Sequence, residues 1–154
     1  MISPGSTGKV LCILYSSGGL GDVGRHATRA ALDLGPEQVS KIKVLSTQPP
    51  EFLLKQARWN CGCNVDHAAE FTPEELQRMD ILQVNFDEIA DLNAYLVDVD
   101  AVVSCLGNRQ FFLGDRVASV GTRKLVDAMN FHEIKRGVFM SSMGIGDDWP
   151  PAEW

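Results

Sequence analysis

Short apolar runs alternate with amphipathic segments along the whole chain, and this alternation predicts a parallel α/β sheet. The apolar runs predict strands over 10–15, 42–46, 81–84, 101–106 and 137–140. The segments between them predict helices over 20–34, 51–60, 70–79, 87–96 and 114–129. Because crossovers between parallel strands are right-handed, the predicted fold has three layers and the strand order 3-2-1-4-5.

The first apolar run leads into a glycine-rich turn. Gly19-x-Gly21-x-x-Gly24 matches one spacing of dinucleotide-binding turns, and Gly18-x-x-Gly21-x-x-Gly24 matches a wider variant. In both, one glycine permits the turn, one lets a pyrophosphate approach the backbone, and Gly24 lets the helix pack close to the strand. A plain strand-to-helix turn is the alternative. The predicted phosphate site consists of Ser17, Gly18, Gly19, Leu20, Gly21, Asp22, Val23, Gly24 and Arg25.

Two helices have further signals at their ends or on their faces. In the first, Ala27, Ala30, Ala31 and Leu34 share one face, and Gly35-Pro36 is a typical stop. In the helix over 70–79, Thr72 is the predicted N-cap, Pro73 follows it, and Glu75 completes a capping box.

The second predicted strand ends in Ser46-Thr47-Gln48. In dinucleotide folds an acidic residue at this place accepts a hydrogen bond from the ribose 2′-hydroxyl of NAD. Here the side chains are neutral, and Ser46 and Thr47 can instead hydrogen-bond a 2′-phosphate while Arg25 supplies positive charge. The pattern therefore favours NADP as the cofactor, with NAD still possible.

Polar or small residues also follow the later strands. Asn85 and Phe86 follow the third strand, where Phe86 can pack on adenine and Asn85 can hydrogen-bond it; a turn and a core phenylalanine are the equal alternative. Gly107 follows the fourth strand beside the point where the strand order reverses, and it lets a cofactor pass close. Ser142 follows the fifth strand, where its hydroxyl can polarise a substrate carbonyl or cap a turn.

Composition narrows the functional classes. The chain has 154 residues, which suits one domain over 1–154. Its net charge of −6, without a basic cluster, argues against nucleic acid, and no apolar run approaches the roughly 20 residues of a membrane helix. Cys61, Cys63 and His67 fit no standard zinc spacing, so a polar loop is expected and no metal. The cysteine usage and the lack of a signal-like leader predict an intracellular protein, in the cytoplasm or an organelle lumen.

Three motifs in register resemble the short-chain dehydrogenase/reductase superfamily, closest to its atypical, NmrA-like NAD(P)-binding branch. They are residues 17–25, 101–107 and 139–144. The resemblance implies a Rossmann fold that binds NADP(H) through Gly18, Gly21, Gly24 and Arg25. It also places Ser104, Leu106 and Gly107 near the cofactor and Ser142 near the nicotinamide.

The chain departs from the enzymes of this superfamily in two ways. Their proton donor is a tyrosine with a lysine four residues later, whereas Tyr15 and Tyr95 are followed at that distance by Gly19 and Val99. The chain also lacks the later strands and the substrate lobe, so a partner or a second copy is expected to cover the edge of the fifth strand. An NADP-dependent oxidoreductase-like protein and a non-catalytic NADP-binding sensor or assembly subunit are the two functional hypotheses. A degenerate fold without nucleotide is disfavoured by the intact glycines.

Overall fold

The computed structural model describes residues 8–15, 22–51, 71–107 and 116–140. The strands are β1 (Lys9–Tyr15), β2 (Val39–Ser46), β3 (Met79–Gln83), β4 (Ala101–Cys105) and β5 (Gly137–Phe139). The helices are α1 (Asp22–Asp33), α2 (Pro73–Gln77) and α3 (Arg116–Phe131), with a 3-10 turn at Asn93–Tyr95. The predicted helix over 51–60 and the segment with Cys61, Cys63 and His67 lie outside the described residues.

The five strands form one parallel sheet in the order β3-β2-β1-β4-β5, which confirms the predicted α/β topology. Tyr15, the last residue of β1, lies opposite Ser46 of β2 and Cys105 of β4. The carboxyl ends of these three strands are therefore level. The strand order reverses between β2 and β4 on the two sides of β1, so this edge is where an open α/β sheet binds ligands.

The two faces of the sheet bury separate cores because successive strand residues point to opposite sides. One core packs the sheet against α1 and contains Ile13, Tyr15, Ala31, Leu32, Val39, Ile42 and Val44. The other packs it against α3 and the β3–β4 connection, and contains Cys12, Leu14, Leu45, Val84, Phe86, Leu92, Leu96, Val99, Val102, Leu106, Leu125, Ala128, Met129 and Ile134. A sheet covered on both faces is the predicted three-layer arrangement.

Cys12 and Cys105 are buried strand residues with free thiols. Burial raises the pKa of the Cys12 thiol to about 12, and it also raises the pKa of Cys105. Both side chains are therefore small apolar groups of the core at neutral pH, as their apolar surroundings in the sequence predict.

The buried face of α1 differs from the predicted one. Gly24, Thr28, Ala31 and Leu32 are buried, while Ala30 is exposed and Leu34 is 51% exposed. The predicted face is therefore correct for Ala31 and for Ala27, which packs against the same core, and wrong for Ala30 and Leu34. It followed apolar side chains alone and so missed Gly24 and Thr28. The helix stop was correct, since Gly35 has a φ of +79°, which favours glycine.

The predicted helix over 87–96 is wrong, since only the 3-10 turn Asn93–Tyr95 forms there. The side chains of Asn85 and Asp91 accept hydrogen bonds from the backbone N–H groups of Asp87 (3.2 Å) and Asn93 (2.9 Å). Such local bonds compete with helix formation. Lys124 donates to the carbonyl groups of Asp87 and Ile89, and Lys43 donates to that of Tyr95, so those carbonyls are satisfied without a helix.

The capping box of α2 is confirmed. Glu75 N donates to Thr72 Oγ1 at 3.2 Å, and Thr72 N donates to Glu75 Oε2 at 2.9 Å. The helix is shorter than predicted, because it ends at Gln77 and β3 begins at Met79. Both guanidinium Nη atoms of Arg29 donate to the Glu75 carboxylate, with Nη1 at 3.1 Å from Oε2. This ion pair ties α2 to α1.

The charge of Glu75 is expected to make stability depend on pH in the acid range. The hydrogen bond from Arg29, and secondarily that from Thr72, lowers the pKa of Glu75 below 4.5. The stabilisation is therefore present above the unfolded-state pKa and lost as the pH falls through the lower folded-state pKa. Glu75→Gln keeps the capping box, so at pH 7 it should cost about 0.5–1 kcal/mol. Urea unfolding from pH 7 to pH 3 should show this difference closing, and a difference that persists at pH 3 would contradict it.

Candidate functional site at the carboxyl edge of the sheet

The predicted cofactor residues that the structure describes lie at or near one edge of the sheet. Ser46 is the last residue of β2 and Thr47 follows it, Asn85 and Phe86 follow β3, and Leu106 and Gly107 follow Ser104 and Cys105 of β4. Val23, Gly24 and Arg25 belong to the first turn of α1, which begins a few residues after β1 ends. Ser17, Gly18, Gly19, Leu20, Gly21 and Ser142 lie outside the described residues.

Tyr15 and Gly24 determine how closely α1 approaches β1. A Cβ added to Gly24 would lie 2.3 Å from Cδ1 and Cε1 of the Tyr15 ring. Only glycine fits at this position, as expected for the last glycine of a dinucleotide-binding turn. The close approach places the N-terminus of α1 directly beyond the end of the central strand, where its N–H groups and its dipole favour a phosphate.

The hydroxyl of Tyr15 is hydrogen-bonded to the same turn of α1. It donates to the carbonyl oxygen of Gly24 at 2.7 Å and is also hydrogen-bonded to Thr28 Oγ1. Tyr15 is 3% exposed and Thr28 is fully buried. Burial raises the pKa of Tyr15 above its ordinary value, so the phenol stays protonated at neutral pH. This hydroxyl is used inside the fold and does not face a substrate.

Arg25 and Val23 flank Gly24 on the outer side of α1. Val23 is 50% exposed, and Arg25 is partly buried. The positive charge of Arg25 is near enough to the edge to lower the pKa of Tyr15 slightly against the effect of burial. Arg25 makes no ion pair with any residue that the structure describes. Its charge is therefore not neutralised by a described carboxylate.

The two hydroxyl residues at the end of β2, Ser46 and Thr47, differ in whether the hydroxyl has a hydrogen-bond partner. Ser46 is 1% exposed, and its Oγ accepts a hydrogen bond from Gln48 N at 3.0 Å, which closes a local turn. Thr47 Oγ1 is buried and has no hydrogen-bond partner among the residues that the structure describes. Leaving a buried hydroxyl unpaired costs about 1–3 kcal/mol, so a ligand group that pairs with it gains that free energy back. Thr47 is thus the better candidate for contact with the ribose, and its position fits the predicted 2′-site.

The burial of Phe86, which follows β3, distinguishes between a core phenylalanine and a platform for adenine. Its side chain is fully buried in the core beside α3, and a Cβ on Gly121 would lie 3.7 Å from it. Because the ring has no exposed surface, the structure favours the core phenylalanine over the adenine platform. Asn85 is exposed, and its Oδ1 accepts a hydrogen bond from Asp87 N in a turn.

At the end of β4, the side chains of Ser104 and Leu106 are buried in the fold, whereas Gly107 has no side chain to occupy the edge of the sheet. Ser104 and Leu106 are 3% and 4% exposed, and a Cβ on Gly121 of α3 would lie 2.8 Å from Leu106 Cδ1. Among the residues that the structure describes, an added Cβ at Gly107 would meet only the Met140 methyl, at 3.4 Å. Gly107 is therefore not required by packing, and its lack of a side chain keeps this part of the edge open to a ligand.

Sequence reasoning missed Tyr15, Thr28 and Gln83 as residues that position the site. Gln83 Nε2 donates to the carbonyl oxygen of Thr47 at 3.2 Å and so holds the backbone of the ribose-side residue. For Tyr15 and Thr28 a signal existed: a tyrosine ends the apolar run, and a threonine lies one helical turn after the last glycine. Polar groups at those two places indicate a hydrogen bond between strand and helix.

The fold and the site together define a dinucleotide-binding protein of the Rossmann type. Both features belong to that class: the parallel order β3-β2-β1-β4-β5, and a helix that Gly24 allows to pack closely against Tyr15 at the switch point. A family model described as NAD(P)H-binding matches residues 51–154, and the chain belongs to this family. The match begins after β2, so it adds evidence separate from the glycine turn. No curated protein matches the chain.

The family makes a nicotinamide dinucleotide the expected cofactor, and the described residues fit one. Gly24 allows the close approach of α1. Thr47 carries a buried hydroxyl without a partner among the described residues, and Gly107 has no side chain at the end of β4. Within the described ranges, no helix has both the length and the apolar character needed to cross a membrane.

Proposed function

We propose that the protein binds NADP(H) and is an oxidoreductase-like member of the atypical, NmrA-like branch of the short-chain dehydrogenases/reductases. The unpaired, buried Thr47 hydroxyl carries the preference for NADP, because it lies where the ribose 2′-substituent is read. Residues 46–48 contain no carboxylate that would repel a 2′-phosphate. Arg25 adds a positive charge at the neighbouring helix, which suits a phosphate better than a hydroxyl.

In this proposal the chain's own residues bind and orient the cofactor. The N-terminus of α1 holds the pyrophosphate, with its position maintained by the Tyr15 hydroxyl below Gly24. Ser46 and Gln83 hold the backbone at Thr47, and Thr47 and Arg25 contact the 2′-phosphate. When bound, NADPH supplies a hydride. Ser142 remains the candidate for polarising a substrate carbonyl.

Titration with NADPH and NADH, followed by nicotinamide fluorescence, tests this proposal. NADPH should bind at least about tenfold more tightly, since hydrogen bonds to a charged group are worth about 1.5–3 kcal/mol. Thr47→Val should weaken NADPH binding by about 3- to 10-fold and leave NADH binding nearly unchanged. Thr72→Val is the matched control, because it removes a hydroxyl at the cap of α2, away from the carboxyl edge. Equal affinities for both dinucleotides would refute the preference, and no binding of either would refute the proposal.

A non-catalytic NADP-binding sensor or assembly subunit is the second candidate function. The observation that favours it is the use of both tyrosines in the fold: Tyr15 lies under α1, and Tyr95 packs against the core in the 3-10 turn before β4. Neither has a lysine four residues later. NADPH oxidation with a panel of carbonyl and quinone substrates distinguishes the two, because the sensor binds NADPH without turnover.

The edge of β5 keeps its predicted role as a contact surface. Among the described strands β5 pairs only with β4. Val138, Phe139 and Met140 are 65%, 39% and 45% exposed. Such an apolar edge favours pairing with another chain, so contact with a partner or a second copy stays a prediction.

A further inference from the structure

The connection between β3 and β4 covers one face of the sheet without an α-helix. It contributes Val84, Phe86, Leu92, Leu96 and Val99 to the core beside α3. An irregular segment in such a place leaves backbone carbonyl groups that a helix would pair internally. These carbonyls need donors from elsewhere in the chain.

Two lysines supply those donors, and they hold opposite ends of the connection. Lys124 Nζ, from α3, donates to the carbonyl oxygens of Phe86 (2.8 Å), Asp87 (3.3 Å) and Ile89 (2.6 Å). Lys43 Nζ, from β2, donates to those of Tyr95 (3.3 Å) and Val97 (2.7 Å). Lys124 therefore holds the end that follows β3, and Lys43 holds the end that leads into β4.

The turn held by Lys124 is connected to the ribose-side residues. Ile89 N donates to the carbonyl oxygen of Asn85 at 3.0 Å, so residues 85–89 form one closed turn. Immediately before it, Val84 N donates to the carbonyl oxygen of Ser46 at 2.7 Å, and Gln83 Nε2 donates to that of Thr47. The ammonium group of Lys124 thus fixes the backbone beside the carboxyl ends of both β2 and β3.

We propose that Lys124 is a positioning residue for the adenosine half of the bound dinucleotide. This inference rests on the proposed nucleotide binding at the same edge. Three carbonyls converge on one ammonium group and fix the path of 85–89, which sets where Asn85 and the backbone beside Thr47 meet the ligand. Lys43 makes the same type of contact in the same connection, but next to β4, and has no such effect on the site.

Lys124→Met and Lys43→Met form a matched pair for testing this role. Both remove an ammonium group that binds carbonyls of the connection, so both should lower the melting temperature. Lys124→Met should weaken binding of NADPH and of 2′,5′-ADP, which carries only the adenosine half, by the same factor of about ten. Lys43→Met should change both affinities by less than about twofold. Lys124→Arg keeps a cation and should restore part of the affinity.

The outcomes separate this inference from the proposed function. Equal losses in the two methionine variants, or unchanged affinity in Lys124→Met, would overturn the role of Lys124 while wild-type binding of NADPH still stood. A wild-type protein that binds neither NADPH nor 2′,5′-ADP would overturn both.

If Lys124→Met does not fold, hydrogen exchange of the wild-type protein tests the inference instead. Addition of 2′,5′-ADP should slow amide exchange in 84–90 and leave 93–98 unchanged. Equal protection of the two segments, or none, would contradict the inference.

Discussion

Replacing Gly24 by alanine is expected to destabilise the fold and weaken NADPH binding together. The new Cβ would lie 2.3 Å from the Tyr15 ring, which is buried and held by its hydroxyl to Gly24 and Thr28. Since the ring cannot move away, α1 must shift, and overpacking of this kind costs about 1–3 kcal/mol. A shifted α1 also carries its N-terminus away from the phosphate position. Urea unfolding and NADPH titration measure the two effects.

Gly107→Ala is the matched control for this substitution. It adds the same methyl group at the same edge of the sheet, but there the Cβ meets only the Met140 methyl at 3.4 Å. Its stability should stay within about 0.5 kcal/mol of wild type, while binding still weakens if the dinucleotide passes close to this residue. In a Tyr15→Leu background, Gly24→Ala should cost less, because the ring is gone. A Gly24→Ala protein as stable as wild type would refute the steric explanation.

Replacing Phe86 by alanine is expected to cost about 3–5 kcal/mol of unfolding free energy, the range for a large buried aromatic side chain. Phe86 is fully buried in the core that joins the β3–β4 connection to α3. The loss arises from the removed apolar contacts and from the cavity left between these elements. Thermal and urea unfolding should both report it.

Phe86→Leu distinguishes a core role from contact with adenine. Leucine fills most of the space and should cost about 1 kcal/mol. If Phe86 belongs only to the core, NADPH affinity should be unchanged in this variant. If the ring stacks on adenine, affinity should fall several-fold with little change in stability, and that result would contradict the structure. Leu125→Met, in the same core, controls for general effects of repacking.

Much of the topology was predictable because it depends on local pattern. The run ending at Tyr15 is apolar over consecutive residues, and those ending at Ser46 and Cys105 are mostly apolar, as is typical of buried parallel strands. Connection rules reduce the possible strand orders to a few, and the predicted order 3-2-1-4-5 is the one in the structure. The capping box at Thr72 and the stop at Gly35 were equally local, since each needs only residues within a few positions.

The helix predicted over 87–96 does not form because of a non-local contact as well as the local hydrogen bonds of Asn85 and Asp91. Its residues have helical composition, but the carbonyls of Phe86, Asp87 and Ile89 are taken by Lys124, more than 30 residues further along the chain. Propensity is a weak preference that tertiary contacts override. The predicted buried face of α1 missed Thr28 for a similar reason, since Thr28 is hydrogen-bonded to Tyr15, a residue of the neighbouring strand.

For the candidate site, the sequence by itself determined which residues lie at the ends of the strands, and therefore which edge of the sheet is the candidate dinucleotide site. Only the tertiary structure determined which of those side chains are buried and which of their polar atoms already have hydrogen-bond partners. Ser46 and Thr47 are adjacent hydroxyl residues, yet Ser46 Oγ closes a turn, whereas the buried Thr47 Oγ1 has no partner among the described residues. Phe86 and Asn85 are likewise adjacent, yet one side chain lies in the core and the other is exposed. The reason is physical: position along the chain follows from local pattern, whereas burial and hydrogen bonding depend on neighbours that only folding brings together.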